Sequence, residues 1–324
     1  MAKKKTTTKK ESTVKKVDTK VTAEKVAPKT TPKTTGVVLF AMGHPYYGYM
    51  AHQLAMSLKY GSPDVKIALF IDDRGGQYLD KHKQSVFDKI LKMPKEYTTF
   101  KGRQNFLKPK VYLNHLSPWD NTLYLDVDMI WNPKRKVGDF LNNLQGIPLT
   151  MKNNGHIDMA KSKDLDSKYI IWATTRDVMT AHGFKSGRLY NLSSEVIYFE
   201  KSKKTDQFWS DAQELFSKPN VKHVDFADGV PDELPFTIAM AKNKIYPHTD
   251  NWRPVFWESF EKKQPIERDL WGSHWALSLG GNIVPKYTKR VYDNLIRWYG
   301  NQFGCKNIWF AKDKRSFIQS RQTI

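Results

Sequence analysis

The chain of 324 residues has one cysteine, Cys305, which excludes an internal disulfide framework and a zinc site built from several thiolates. It also lacks long apolar runs. No stretch approaches the roughly 18 residues of a membrane span, and the first residues have no apolar core of the secretory-signal kind. Together these absences point to a soluble protein of a reducing, cytoplasmic compartment. Acidic residues are scarce as well, 33 against 53 lysines and arginines, for a net charge of +20. Core-forming residues are not scarce. At 40% hydrophobic and 13% aromatic the chain is too apolar to be disordered throughout, and its length suits one large domain.

Residues 1–35 are a Lys/Thr tract holding eleven lysines and three acids, so +8 of the charge belongs here and +12 to the rest. The tract is too poor in apolar groups to offset the entropy of ordering, and it reads as a disordered basic arm. A body that is basic in its own right favours polyanions, whether nucleic acid, an anionic membrane surface or a nucleotide diphosphate.

From Gly36 the pattern changes. VVLFAMG reads as a strand closed by Gly43, followed by His44-Pro45-Tyr46-Tyr47. Ala51, Leu54, Ala55 and Leu58 then fall at helical spacing up to Gly61-Ser62-Pro63. VKIALFIDD repeats the strand and ends on Asp72 and Asp73. Strand, helix and strand with apolar strand cores imply a right-handed parallel crossover and a sheet covered on both faces. Ligands of such sheets sit beyond the strand C-termini, where Tyr46, Tyr47, Asp72 and Asp73 fall. Leu79–Met93 has the spacing of a helix, and VYLNHL, before Ser117-Pro118, reads as another.

The chain is organised around NTLYLDVDMIWNP, residues 121–133. An apolar run of β-formers ends in Asp126 and Asp128. The two carboxylates share a face if the strand continues, and a turn between them splays them around one point. Charge at a buried strand end is costly without a partner, which favours a hard cation such as Mn2+ or Mg2+ with open positions for phosphate oxygens. Bracing of the local loop is the plainer alternative.

LYLDVDMIW resembles the D-x-D strand of GT-A-type nucleotide-sugar glycosyltransferases, most nearly the glycogenin- and galactosyltransferase-like group. The resemblance spans residues 37 to about 300. It implies a single GT-A-like α/β domain, residues 36–324, with a mostly parallel mixed sheet and helices on both faces. It also implies a metal-dependent transferase with a nucleotide-sugar donor, a UDP-sugar by preference.

Further roles follow from the resemblance. Tyr46, Tyr47, Asp72 and Asp73 would hold the nucleoside, and Lys108 or Lys110, before the D-x-D strand, would contact the nucleotide. Asn191 and Ser193, in the small polar stretch ahead of VIYF, would meet the donor sugar or the acceptor. Asp232 and Glu233 would orient sugar hydroxyls or act as base, although acids opening the helix FTIAMA also complement its dipole. His274 would be a third metal ligand, with His248 as an alternative, and Lys286 would lie near the phosphates after Gly280 and Gly281. Trp252, Phe256 and Phe260, four apart, read as a core stripe.

The acceptor expected from the charge is DNA, specifically a hydroxymethylated pyrimidine of the kind bacterial viruses make. Trp252 or Trp257 would support the extruded base, and the enzyme would act in the host cytoplasm. A protein or a lipid-linked glycan is the rival acceptor. Nucleotidyl transfer, or nucleic-acid binding on an inactive scaffold, are the rival functions.

Overall fold

The computed structural model describes residues 33–132, 135–225, 229–248, 255–256 and 275–278. The basic tract up to Pro32 lies outside them, as do Trp252, Trp257, Phe260, His274, Gly280, Gly281 and Lys286.

Strand β1 (Thr35–Ala41) is the first regular element and is buried along nearly its whole length. Thr35, which composition groups with the tail, already pairs with Asn121. Helix α1 (Pro45–Gly61) follows. His44 Nδ1 accepts from the Tyr46 amide at 3.1 Å, and Pro45 occupies the first turn, where a missing N–H costs nothing. Strand β2 (Ile67–Ile71) returns parallel to β1, and β3 (Lys89–Lys92) lies parallel to β2.

The helical reading of Leu79–Met93 is corrected here. Only Lys81–Gln84 is helical, and KILK pairs with β2 as an edge strand. Strand β4 (Asn121–Leu125) lies parallel to β1 on its other side. The chain then turns at Val127-Asp128 and enters β5 (Met129–Trp131), which belongs to a different sheet. Strands β6 (Leu149–Asp158) and β7 (Arg188–Glu200) complete the main sheet, with β7 antiparallel to both β4 and β6. The order is β3-β2-β1-β4-β7-β6. Strand β6 continues through the polar residues 152–158.

Alternation along the strands divides the core. Val37, Leu39, Ile67, Leu69, Leu123 and Leu125 pack with Met50, Leu54 and Leu58 of α1 on one face. Val38, Phe40, Phe70 and Tyr124 face helices α2 (Lys203–Ser217) and α3 (Glu233–Asn243) on the other. Each large side chain so buried contributes about 1.5–3 kcal/mol, enough to fix strand register on both faces. In the small sheet, β8 (Val255–Phe256) and β9 (Ala276–Ser278) extend β5 in the order β8-β9-β5. Phe256 is therefore in a strand, and its four-residue spacing from Trp252 and Phe260 is not helical at that position.

Two short hairpins stand outside the sheets, Thr99–Phe100 with Arg103–Gln104 and Tyr169–Ile170 with Ala173–Thr174. Among the described residues no helix is long and apolar enough to cross a membrane.

Candidate active site at the end of the central strand

Parallel strands β1, β2 and β4 point their C-termini the same way, so Gly43, Asp72 and Asp126 emerge on one rim. Strand β7 is irregular there. Between Ser193 and Ile197 its register against β6 shifts, and the extra residues Ser194, Glu195 and Val196 bulge at the point where β4 ends. The Asp126 amide donates to the Glu195 carbonyl at 2.8 Å, which fixes the carboxylate at the strand terminus.

Around Asp126 the charges are dense. Lys110 Nζ lies 2.9 Å from both carboxylate oxygens, and the Tyr124 hydroxyl donates to Oδ1 at 2.6 Å. Lys110 also donates to Ser194 Oγ at 3.2 Å and lies 3.6 Å from Asp232 Oδ2. Ser194 Oγ in turn donates to Glu233 Oε1 at 3.3 Å. Three acids from two distant segments thus converge on one buried ammonium.

Burial alone would lower the Lys110 pKa, but Asp126 and Asp232 outweigh it and hold the lysine well above its usual value. Burial raises Asp126, with Lys110 and Tyr124 opposing. Burial and the neighbouring Asp232 push Glu233 up to about 8, so it carries a proton at neutral pH. Asp232 sits at the helix start, yet its side chain makes no capping hydrogen bond. It faces the lysine instead, with Oδ2 buried and accepting no hydrogen bond. Helix-dipole compensation does not account for that orientation.

The expected nucleoside residues separate into groups. Burial raises the Tyr47 hydroxyl pKa, and the charges of Asp128 and Asp126 raise it further, so Tyr47 lies beside the metal candidates. Tyr46 stacks on Tyr49 at 5.4 Å. Asp72 accepts from the Gly43 amide at 2.8 Å and from the Gly75 amide at 2.7 Å, bracing the rim loops. Asp73 is 84% exposed and paired with Lys92. Lys108 turns away and donates to the carbonyls of Glu96 and Thr99, leaving Lys110 as the basic residue at the site. Ser193 bonds Glu195, and the His248 amide bonds Thr150, in the sheet rather than at the carboxylates. Asn191 lies half-buried on β7.

Residue-type reading missed Lys152, Ser194 and Glu195. Lys152 Nζ and Glu195 form a buried pair at 2.8 Å, and Ser278 Oγ donates to the other Glu195 oxygen, so this carboxylate ties both sheets together behind Asp126. The signal was present in the sequence as a charge inside an apolar strand, Ser193-Ser194-Glu195-Val196.

Asp126 and Asp128 are the oxygen donors that could hold a hard divalent cation, and both oxygens of Asp126 already meet Lys110. Among the described residues no group of three His, Cys, Asp or Glu side chains is placed to hold a metal.

No protein-family model and no curated protein matches the sequence. Solved structures do match. The apo bifunctional glycosyltransferase WbbM aligns over 86% of this chain with a TM-score of 0.54 and 11% identity. The alignment covers 52% of WbbM, so the chain spans about half its length. The galactosyltransferase LgtC, in complex with donor and acceptor sugar analogues, aligns over 82% of this chain and 95% of its own, with a TM-score of 0.45 and 11% identity. The fold is GT-A-like: a mixed, mostly parallel sheet with helices on both faces.

Proposed function

We propose that the protein is a metal-dependent glycosyltransferase that takes a sugar from a nucleotide-diphosphate donor, a UDP-sugar by preference. The observation that carries this reading is the convergence of Asp126, Asp232 and Glu233 on Lys110 at the C-terminal rim of a GT-A-like sheet. Asp126 and Asp128 would hold Mn2+ or Mg2+, which when bound neutralises the departing diphosphate. Lys110 would hold Asp126 and Asp232 in place and offset part of their charge, leaving the cation to act on developing anionic oxygen. Tyr47 and the Asp72-braced rim loops shape the donor side. If transfer inverts the sugar, Glu233 is the base that deprotonates the acceptor hydroxyl, and Asp232 and Lys110 set its proton affinity. The acceptor we favour is a hydroxymethylated pyrimidine in DNA, because the charge remains +12 after the N-terminal tract is set aside.

The test is incubation with a panel of nucleotide sugars and Mn2+, with and without DNA containing 5-hydroxymethylcytosine or 5-hydroxymethyluracil. Nucleoside diphosphate release and a sugar mass on the digested nucleoside are expected. Pyrophosphate release would move the protein to nucleotidyl transfer, and transfer only to protein or lipid would overturn the DNA acceptor.

A further inference from the structure

The described residues expose five large apolar side chains, Phe106 at 38%, Tyr169 at 62%, Trp172 at 39%, Val224 at 52% and Tyr246 at 63%. They are not scattered. Phe106 lies against Gly43 at the end of β1, where an added Cβ would meet its ring at 2.7 Å. Tyr169 and Trp172 ride on the second hairpin, which packs against β7. Val224 is joined to that hairpin, its amide donating to the Trp172 carbonyl at 2.8 Å. Tyr246 meets Tyr190 of β7 edge to face at 6.2 Å.

Strand β7 runs antiparallel to β4, so its residues before Val196 extend past Asp126. Phe106 beside Gly43 and Tyr246 beside Tyr190 lie at that rim, and the second hairpin packs against the same strand. Clustering of exposed apolar groups at one mouth marks a binding surface more than chance exposure does.

The two hairpins have different chemistry. The first carries Lys101 and Arg103, both exposed, with Lys101 Nζ 5.2 Å from the centre of the Phe100 ring, and leads directly to Phe106. Residues 95–110 hold five basic residues and one acid. The second turns through Ile171 and Trp172 at φ 41° and 67°, a left-handed conformation that a β-branched or bulky residue adopts only under constraint, and it carries the part-exposed Tyr169 and Trp172. Its exposed charges are mixed, Arg176 being paired with Asp166. The stretch from Phe216 to Gly229 touches both hairpins and leads to the acids: Phe216 meets Phe100 of the first edge to face at 5.1 Å, the Val224 amide bonds Trp172 of the second, and Gly229, three residues from Asp232, packs on Asn105 beside the first.

We infer that the two hairpins form a clamp for an unstacked nucleic-acid strand at the mouth of the site. Lys101 and Arg103 track phosphates, while Phe106, Tyr169 and Trp172 stack on bases. The inference rests on the transferase reading for the acceptor's role, though not for binding itself. Cations interleaved with aromatic faces are what single-stranded nucleic acid recognition requires, and the stacking tolerates any base. A neutral glycan would use the rings but gain nothing from the basic hairpin.

The probe is a fluorescein-labelled dT12 strand bound by the full chain at about 0.3 M salt, where screening weakens the purely electrostatic contribution of the N-terminal lysines. Trp172→Ala, Tyr169→Ala and Phe106→Ala should each weaken binding by roughly 5- to 150-fold, with Trp172→Phe restoring most of it. Lys101→Gln and Arg103→Gln should each lower the salt slope by about 0.7. Thermal melts and donor hydrolysis without acceptor should match wild type.

Aromatic variants that bind within twofold of wild type would overturn the clamp. So would maltohexaose competing with dT12, which would assign the surface to a glycan. Lost dT12 affinity in a protein that releases no nucleoside diphosphate would leave the clamp standing and remove the transferase reading.

Discussion

Lys110 meets more negative charge than it can neutralise, and the consequences fall on individual side chains. Asp126 and Asp128 would share a cation, so Asp126→Asn or Asp128→Asn keeps the shape while weakening its capture. Turnover should fall by about 100-fold or more, with the melting temperature little changed for Asp128→Asn but lowered for Asp126→Asn, which takes a counter-ion from the buried Lys110, and chelator should abolish wild-type turnover. Undiminished turnover in chelator would remove the metal from the mechanism.

Glu233 behaves in the opposite sense to a salt-bridged acid. Its proton affinity is raised in the folded state to about 8 from an ordinary 4.5, so the folded protein binds the extra proton between those values. Stability associated with this group is fully present below pH 4.5 and is lost as pH rises through 8. Glu233→Gln removes that dependence. The variant should gain on wild type in unfolding free energy, followed by denaturant melts between pH 5 and pH 9, by an amount on the order of a few kcal/mol or less. If Glu233 is the base, wild-type kcat climbs over the same upper range and the variant does not follow. At this scale the acids and Lys110 were legible from residue type and motif. The choice of Lys110 over Lys108 was not, because both flank Pro109 and only the 3-10 turn over Lys108–Tyr112 decides which one faces Asp126.

Elements show why some of the fold was readable and some was not. Strands β1, β2 and β4 are apolar runs closed by glycine or acid, and α1 and α2 have clean caps, the Ser202–Thr205 capping box among them. β3 was hidden because Leu79, Val86, Phe87, Ile90 and Leu91 imitate helical spacing. KILK becomes a strand only because the edge of β2 is there to pair with it. The β7 bulge was equally invisible, since a register shift depends on the partner strand.

That bulge carries the Lys152–Glu195 pair, 5% and 7% exposed. Burial lowers the Lys152 pKa while Glu195 opposes the shift, as expected of a lysine whose charge depends on its partner. Lys152→Met leaves a buried carboxylate with Ser193 and Ser278 alone and should cost about 3–5 kcal/mol. Adding Glu195→Gln should recover much of the loss in a denaturant-melt cycle. Additive losses would mean the two side chains act independently.

Across the whole molecule, charge is the property that the folded architecture does not explain. At the rim of the sheet the buried Lys110 is already matched by Asp126 and Asp232. The +20 total is not accounted for there, and the eleven lysines of residues 1–35 supply a large share of it. Such a stretch binds phosphates without sequence preference, and each contact to duplex DNA contributes about 0.9 to the slope of log affinity against log salt. Deleting residues 1–32 stops short of Lys33, whose Nζ pairs with Glu200 at 3.0 Å, and of Thr34, whose amide and hydroxyl both donate to Asp120. The truncated protein should therefore melt like the full chain while its duplex-DNA salt slope drops by several units. Its affinity for dT12 at about 0.3 M salt should fall much less, because stacking is insensitive to screening. An unchanged slope would assign the DNA affinity to the folded body alone and leave the lysine tract without a part in acceptor capture.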